Sequence, residues 1–143
     1  MASMKIFLFI IPVVIVLMAN SCSKKDVELR EGTIELALKR CSNGDIGGNN
    51  LRLCFDSLIS DSRCPANAVC GWAGTAIAKF SFTKDNETKI FVLSTLDMSP
   101  TYRKDTILMG YKIEFVNLSP YPGTAPQPVP ADKIKAELKI TKQ

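Results

Sequence analysis

The stretch Asp61-Ser62-Arg63-Cys64-Pro65-Ala66-Asn67-Ala68-Val69-Cys70-Gly71-Trp72-Ala73-Gly74 runs directly into Thr75-Ala76-Ile77-Ala78-Lys79-Phe80-Ser81-Phe82, and together they decide the fold. The second part alternates. Ala76, Ala78, Phe80 and Phe82 share one side of an extended chain, and Ile77, Lys79 and Ser81 take the other. That period of two is the mark of a strand. The first part holds two cysteines, a proline, two glycines and the only tryptophan. A bridge between Cys64 and Cys70 closes a small ring. Pro65 presets φ where the ring turns, and Gly71 frees the backbone at the exit. On the chain-entropy estimate, closing about seven residues contributes roughly 2–2.5 kcal/mol. Asp61 and Arg63 flank the entrance as a candidate ion pair. Trp72 supplies a large flat surface, expected to lie largely buried against the bridge or the sheet. The stretch reads as a stapled corner that feeds a central strand. The same ring could instead be displayed, with Pro65, Ala66, Asn67, Ala68 and Val69 as a candidate binding loop.

Outward from this corner the alternation recurs. Ile34, Leu36 and Leu38 alternate with Glu35, Ala37 and Lys39. Leu51, Leu53 and Phe55 alternate with Arg52, Cys54 and Asp56. A short apolar strand over 89–94 follows the turn Lys84-Asp85-Asn86-Glu87. Strands over 106–109 and 110–118 carry Ile107, Tyr111, Ile113 and Phe115. Ile134, Ala136, Leu138 and Ile140 close the chain. About seven strands with turn residues between them predict an all-β, two-sheet antiparallel sandwich of immunoglobulin-like size, with a small β-barrel as the alternative. Residues 42–50, rich in Asn and Gly, read as a flexible hairpin loop. Ser119 to Pro130, with five prolines, reads as a stiff crossover between strands, followed by a short helical turn at 130–133.

The chain begins with a targeting segment. Lys5 precedes Ile6 to Ala19, which is apolar without a break, carries Pro12 and falls short of the about 20 residues a membrane span needs. Met18-Ala19-Asn20-Ser21-Cys22 resembles a bacterial lipobox, with Ala19 where leucine is usual. The resemblance implies that residues 1–21 are removed and that Cys22 carries a diacylglyceryl and acyl (palmitate-type) anchor. Ser23-Lys24-Lys25-Asp26-Val27-Glu28 resembles the export signal of Bacteroidota-type surface lipoproteins. Residues 22–32 then read as a flexible tether and 33–143 as the single folded domain. The expected address is the bacterial cell envelope: anchored in the outer membrane by lipid, facing the periplasm or the surface.

Five cysteines less the lipidated one leave Cys41, Cys54, Cys64 and Cys70, an even set in an exported chain. Three connectivities exist. Cys64–Cys70 and Cys41–Cys54 are the favoured pair, the second at the base of the 42–50 loop. The spacings lack the close Cys-x-x-Cys pairs of zinc sites, so no metal is expected. Asn43, Asp45 and Asn49 do not have EF-hand spacing.

The segment Asp61-Ser62-Arg63-Cys64-Pro65, four residues, Cys70, one residue, Trp72, one residue, Gly74 resembles a group of small secreted or lipid-anchored bacterial proteins. Gly110-Tyr111 and Ser119-Pro120-Tyr121-Pro122 fit the same group. The resemblance implies a β-sandwich-like fold and brings no activity with it. Asp105-Thr106-Ile107 and Asp56-Ser57-Leu58 resemble O-glycosylation sites of such exported proteins, which makes Thr106 and Ser57 candidate acceptors.

The chain has no histidine, which removes Ser-His-Asp and Cys-His catalysis and imidazole metal sites. No glycine-rich phosphate loop opens a helix. The formal charge of +4 is mild, and no cluster of lysine and arginine forms a nucleic-acid patch. No catalytic residues and no cofactor are expected. The reading is a non-catalytic binding or structural module held at the membrane by lipid, with a protein or glycan partner. The alternative is a protease inhibitor that presents the closed ring, since a rigid loop loses little entropy on binding.

Overall fold

The computed structural model describes residues 27–143. The targeting segment and Cys22 lie outside the described residues.

Eight strands form two four-stranded antiparallel sheets. They are β1 (Gly32–Ala37), β2 (Arg40–Asp45), β3 (Asn50–Asp61), β4 (Ala76–Lys84), β5 (Glu87–Ser94), β6 (Asp105–Leu108), β7 (Tyr111–Ser119) and β8 (Lys135–Lys142). The sheet orders are β1-β8-β7-β6 and β2-β3-β4-β5, so neither sheet closes into a barrel. The alternating residues face inward as the pattern requires. Leu53 and Phe55 of β3, Phe80 and Phe82 of β4, Ile113 and Phe115 of β7, and Leu138 and Ile140 of β8 are fully buried. Phe80 sits at the centre, 5.2 Å from Phe55, 5.7 Å from Phe91 and 5.4 Å edge-on from Phe115 across the sheets. Its ring alone joins three strands of both layers, worth more than its buried area.

Two expectations need correction. β2 takes in Ser42 to Asp45, residues that read as loop. Its register puts Cys41 directly opposite Cys54, so the Cys41–Cys54 bridge crosses a strand pair instead of tying the foot of a loop. The connection shrinks to 46–49, where the Asp45 carboxylate accepts the Gly48 N–H at 2.9 Å. The tether is also shorter than 22–32. Leu29 is 1% exposed, its N–H donates to Asn43 O at 2.9 Å, and the buried Ser42 hydroxyl donates to Val27 O. Leu29 O approaches so closely that a Cβ on Gly44 would lie 1.9 Å from it. The proline-rich segment is the connection between two strands that its composition implies, joining β7 to its hydrogen-bonded neighbour β8 within one sheet. The short helical turn is present at Ala131–Lys133.

The two ends of the sandwich differ. At one end the connections are tight: 46–49, Asp85-Asn86 and Met109-Gly110, the last two with positive φ at both residues as two-residue hairpins require. The strap before β1 lies along β2, with Val27 O at Ser42 and the Leu29 N–H at Asn43. At the other end lie the long connections 62–75, 95–104 and 120–134.

Candidate functional site

The long connections meet over the ends of β3 and β7, and Arg63 holds them there. β6 pairs with β7 only through Glu114, so the last residues of β7 have no strand on that side. Side chains take the strand's place. Leu118 N–H donates to Asn117 Oδ1 at 2.9 Å, and Arg63 Nη1 donates to Leu118 O at 2.5 Å. Arg63 Nη2 also reaches Pro120 O at 3.3 Å, and the guanidinium lies 4.8 Å from the Tyr121 ring centre. A charge this deep needs a counter-ion. Asp61 supplies it as a two-pronged pair, Nε to Oδ1 at 2.8 Å and Nη2 to Oδ2 at 2.7 Å. The pairing expected from sequence is therefore present, and the guanidinium's reach across to β7 is the part that local reading did not show.

The rest of the corner is equally specified. Ser62 Oγ donates to Thr75 O at 3.0 Å and accepts Thr75 N–H at 3.1 Å. Gly74 has φ +64°, and a Cβ there would fall 1.8 Å from Ser62 O. Only glycine fits such a position. Cys64 and Cys70 are bridged as expected, and Cys64 N–H donates to Ala73 O at 3.0 Å. Ala68 N–H donates to Pro65 O at 3.0 Å, which folds the tip of the ring into a turn. A peptide that enters a cleft by strand addition is extended. Ala66 N–H donates to Pro122 O at 2.9 Å and ties the ring to the proline-rich cap. Under that cap, Leu58, Leu118, Pro128 and Ile134 line a cavity of about 380 Å³, with Asp61, Ser119, Tyr121 and Gln127 as its polar side chains.

Trp72 departs from expectation. It is 78% exposed and covers neither the bridge nor the sheet. The Asp61–Arg63 pair and the Ser62–Thr75 bonds seal the corner without it, so the ring is free to face outward. Val69, at the far side of the ring, is 103% exposed. Of the candidate binding loop, Ala66, Asn67, Ala68 and Val69 are exposed and Pro65 is half-buried. The candidate acceptors are separate from this end in kind. Ser57 is half-buried in β3 opposite Lys79, while Thr106 sits half-buried opposite the core residue Ile113.

Among the described residues no group of three potential metal ligands exists. No protein family matches the chain, and neither does any curated protein or solved structure.

Proposed function

We propose that this protein is a lipid-anchored binding module of the bacterial envelope that engages its partner through the long-loop end of the sandwich. The observation that carries the reading is the exposure of Val69 on the disulfide-closed ring and of Trp72 two residues beyond it, in a corner held by buried Arg63. A large apolar side chain contributes nothing to the fold when it faces water, and rigid support lowers the entropy lost on binding.

Anchoring would hold the domain close to the membrane. With lipid on Cys22, only residues 23–26 separate the membrane from the packed strap at Val27. Five residue steps span at most about 18 Å. The two bridges agree with an exported chain. The resemblance of 18–22 to a lipobox and of 61–74 to small exported proteins belongs to the same reading.

Cys22→Ala followed by cell fractionation tests the anchor. The variant should leave the membrane fraction for the soluble one. Retention equal to the parent's would refute the lipid anchor.

A further inference from the structure

Resting on that binding reading, we infer that the occupant of the long-loop end is a protein surface with an apolar centre and an acidic rim. The extent of the apolar surface argues for a protein. Trp72 and Val69 occupy the middle connection. On one side the 95–104 connection adds Leu96 and Met98, 46% and 61% exposed, and on the other the 120–134 connection adds Tyr121. These connections are bonded to one another. Thr95 N–H donates to Ala76 O at 2.9 Å, the Thr75 and Thr95 hydroxyls are 3.0 Å apart, and Ala66 reaches Pro122. Exposed apolar side chains spread over three adjoining connections match the footprint of a protein interface. Trp, Tyr and Met are the types that such interfaces concentrate at their centres.

A sugar would need free polar side chains placed around the tryptophan. Within the 61–74 stretch Asp61 is already engaged by Arg63, which leaves Asn67. The charged flanks then select the partner's sign. Lys39 and Lys133 enter no ion pair among the described residues. The Leu38 N–H bond to Ile134 O brings their two turns side by side. On the opposite flank Arg103 approaches Asp105 only at 3.7 Å. The acids of these connections are Asp97, whose carboxylate accepts the Lys104 N–H, and Asp132. A basic margin around an apolar centre favours an acidic margin opposite.

The test uses the full-length anchored chain in its own cells. A benzophenone photo-crosslinker replaces exposed Ala68, beside the apolar centre, and a control chain carries it at Lys139, on the outer face of β8. The expected result is a protease-sensitive adduct from position 68 with no counterpart from position 139. Its yield should fall at least about 10-fold with Lys133→Glu plus Arg103→Glu. The captured protein, identified and purified, should bind the lipid-free Cys22→Ala chain. Trp72→Ala, at unchanged melting temperature, should weaken that binding by about 30-fold or more, the loss typical of an interface centre. An adduct that is glycan or lipid, an equal adduct at position 139, indifference to the charge reversals, or no adduct at all overturns the inference. The two readings fail separately. A Cys22→Ala chain that stays in the membrane removes the anchor and leaves the interface standing. A released chain with no position-specific adduct removes the interface alone.

Discussion

Arg63→Ala is the most informative single change. The Arg63 side chain is 5% exposed and that of Asp61 21%. Truncation removes both prongs of the pair and the donors to Leu118 O and Pro120 O. It leaves a largely buried carboxylate without a partner. Breaking a buried pair from one side costs about 3–5 kcal/mol. Asp61 retains some solvent, which screens its charge, so the lower end applies and we expect about 3 kcal/mol. For a domain of this length that corresponds to a fall of roughly 10–15 °C in melting temperature. Arg63→Lys keeps the charge and loses the fork, and should recover about half of the loss. Asp61→Ala with Arg63→Ala removes both charges together, so its cost should be well below the sum of the two single changes. The measurement is urea denaturation followed by far-ultraviolet circular dichroism, because urea does not screen charge and Trp72 is already exposed in the folded state. A cost under about 1 kcal/mol for Arg63→Ala, or strict additivity in the double variant, would refute the view that this pair braces the cap.

Replacing Cys64 and Cys70 together with alanine should cost about 2–2.5 kcal/mol in the same assay and barely move tryptophan emission, since Trp72 is solvated with or without the bridge. Gly74→Ala should cost at least about 2 kcal/mol, from a positive φ and a clash with Ser62 O, and loss of the 62–75 connection's protection in hydrogen exchange would report it locally. The hydrogen bond and charge of Asp105 raise the pKa of Lys112 above its ordinary 10.5. The raised value means the pair supports the fold below that pH and loses its support as pH rises through the shifted value, so Lys112→Ala should flatten a small alkaline decline in melting temperature. Peptide mapping of the native protein should show glycan at Ser57 in preference to Thr106, which shares the core-facing row of Ile113; an intact mass of peptide and lipid alone would exclude both.

The strands were legible wherever one face is apolar and the other polar. Ala76 to Phe82 and Ile134 to Ile140 need no more than period two to be placed, and the buried rows match. Of the three connectivities that separation and compartment leave open, the favoured one is formed. β2 was hidden because Cys41-Ser42-Asn43-Gly44-Asp45 has the composition of a turn. What makes it a strand is tertiary: the ladder to β3, the bridge to Cys54, and Leu29 seated where Gly44 has no side chain. The same strap moved the edge of the tether. Trp72 was misplaced for a related reason. An aromatic ring beside a disulfide suggests burial, yet the corner is sealed by an arginine, a residue whose charge suggests the surface. The partners that make Arg63 an interior residue, Leu118 O and Pro120 O, lie more than fifty positions along the chain. No local window contains them.

The contrast between the two ends carries the functional argument one step further. Long connections are costly to order, because each residue fixed loses backbone entropy of about 1–2 kcal/mol. At the tight-turn end the chain avoids the cost with two-residue hairpins. At the other end it keeps three long connections and then immobilises them with the Cys64–Cys70 bridge, the prolines of 119–130, the Asp61–Arg63 pair and the Ala66–Pro122 bond. The inner rows of the sheets form nearly all of the core, and Ile134 is what the long connections add to it. On the binding reading proposed above, the ordering has its use in what the connections hold outward, and Trp72 is the largest such group on the 62–75 connection. Because the supports are internal to the cap, loosening one without touching Trp72 should weaken partner binding more than it weakens the fold. Pro65→Ala is the cleanest such change, as the bridge still closes the ring. An affinity unchanged by Pro65→Ala and lost with Trp72→Ala would show that the tryptophan binds without help from the rigidity of its loop.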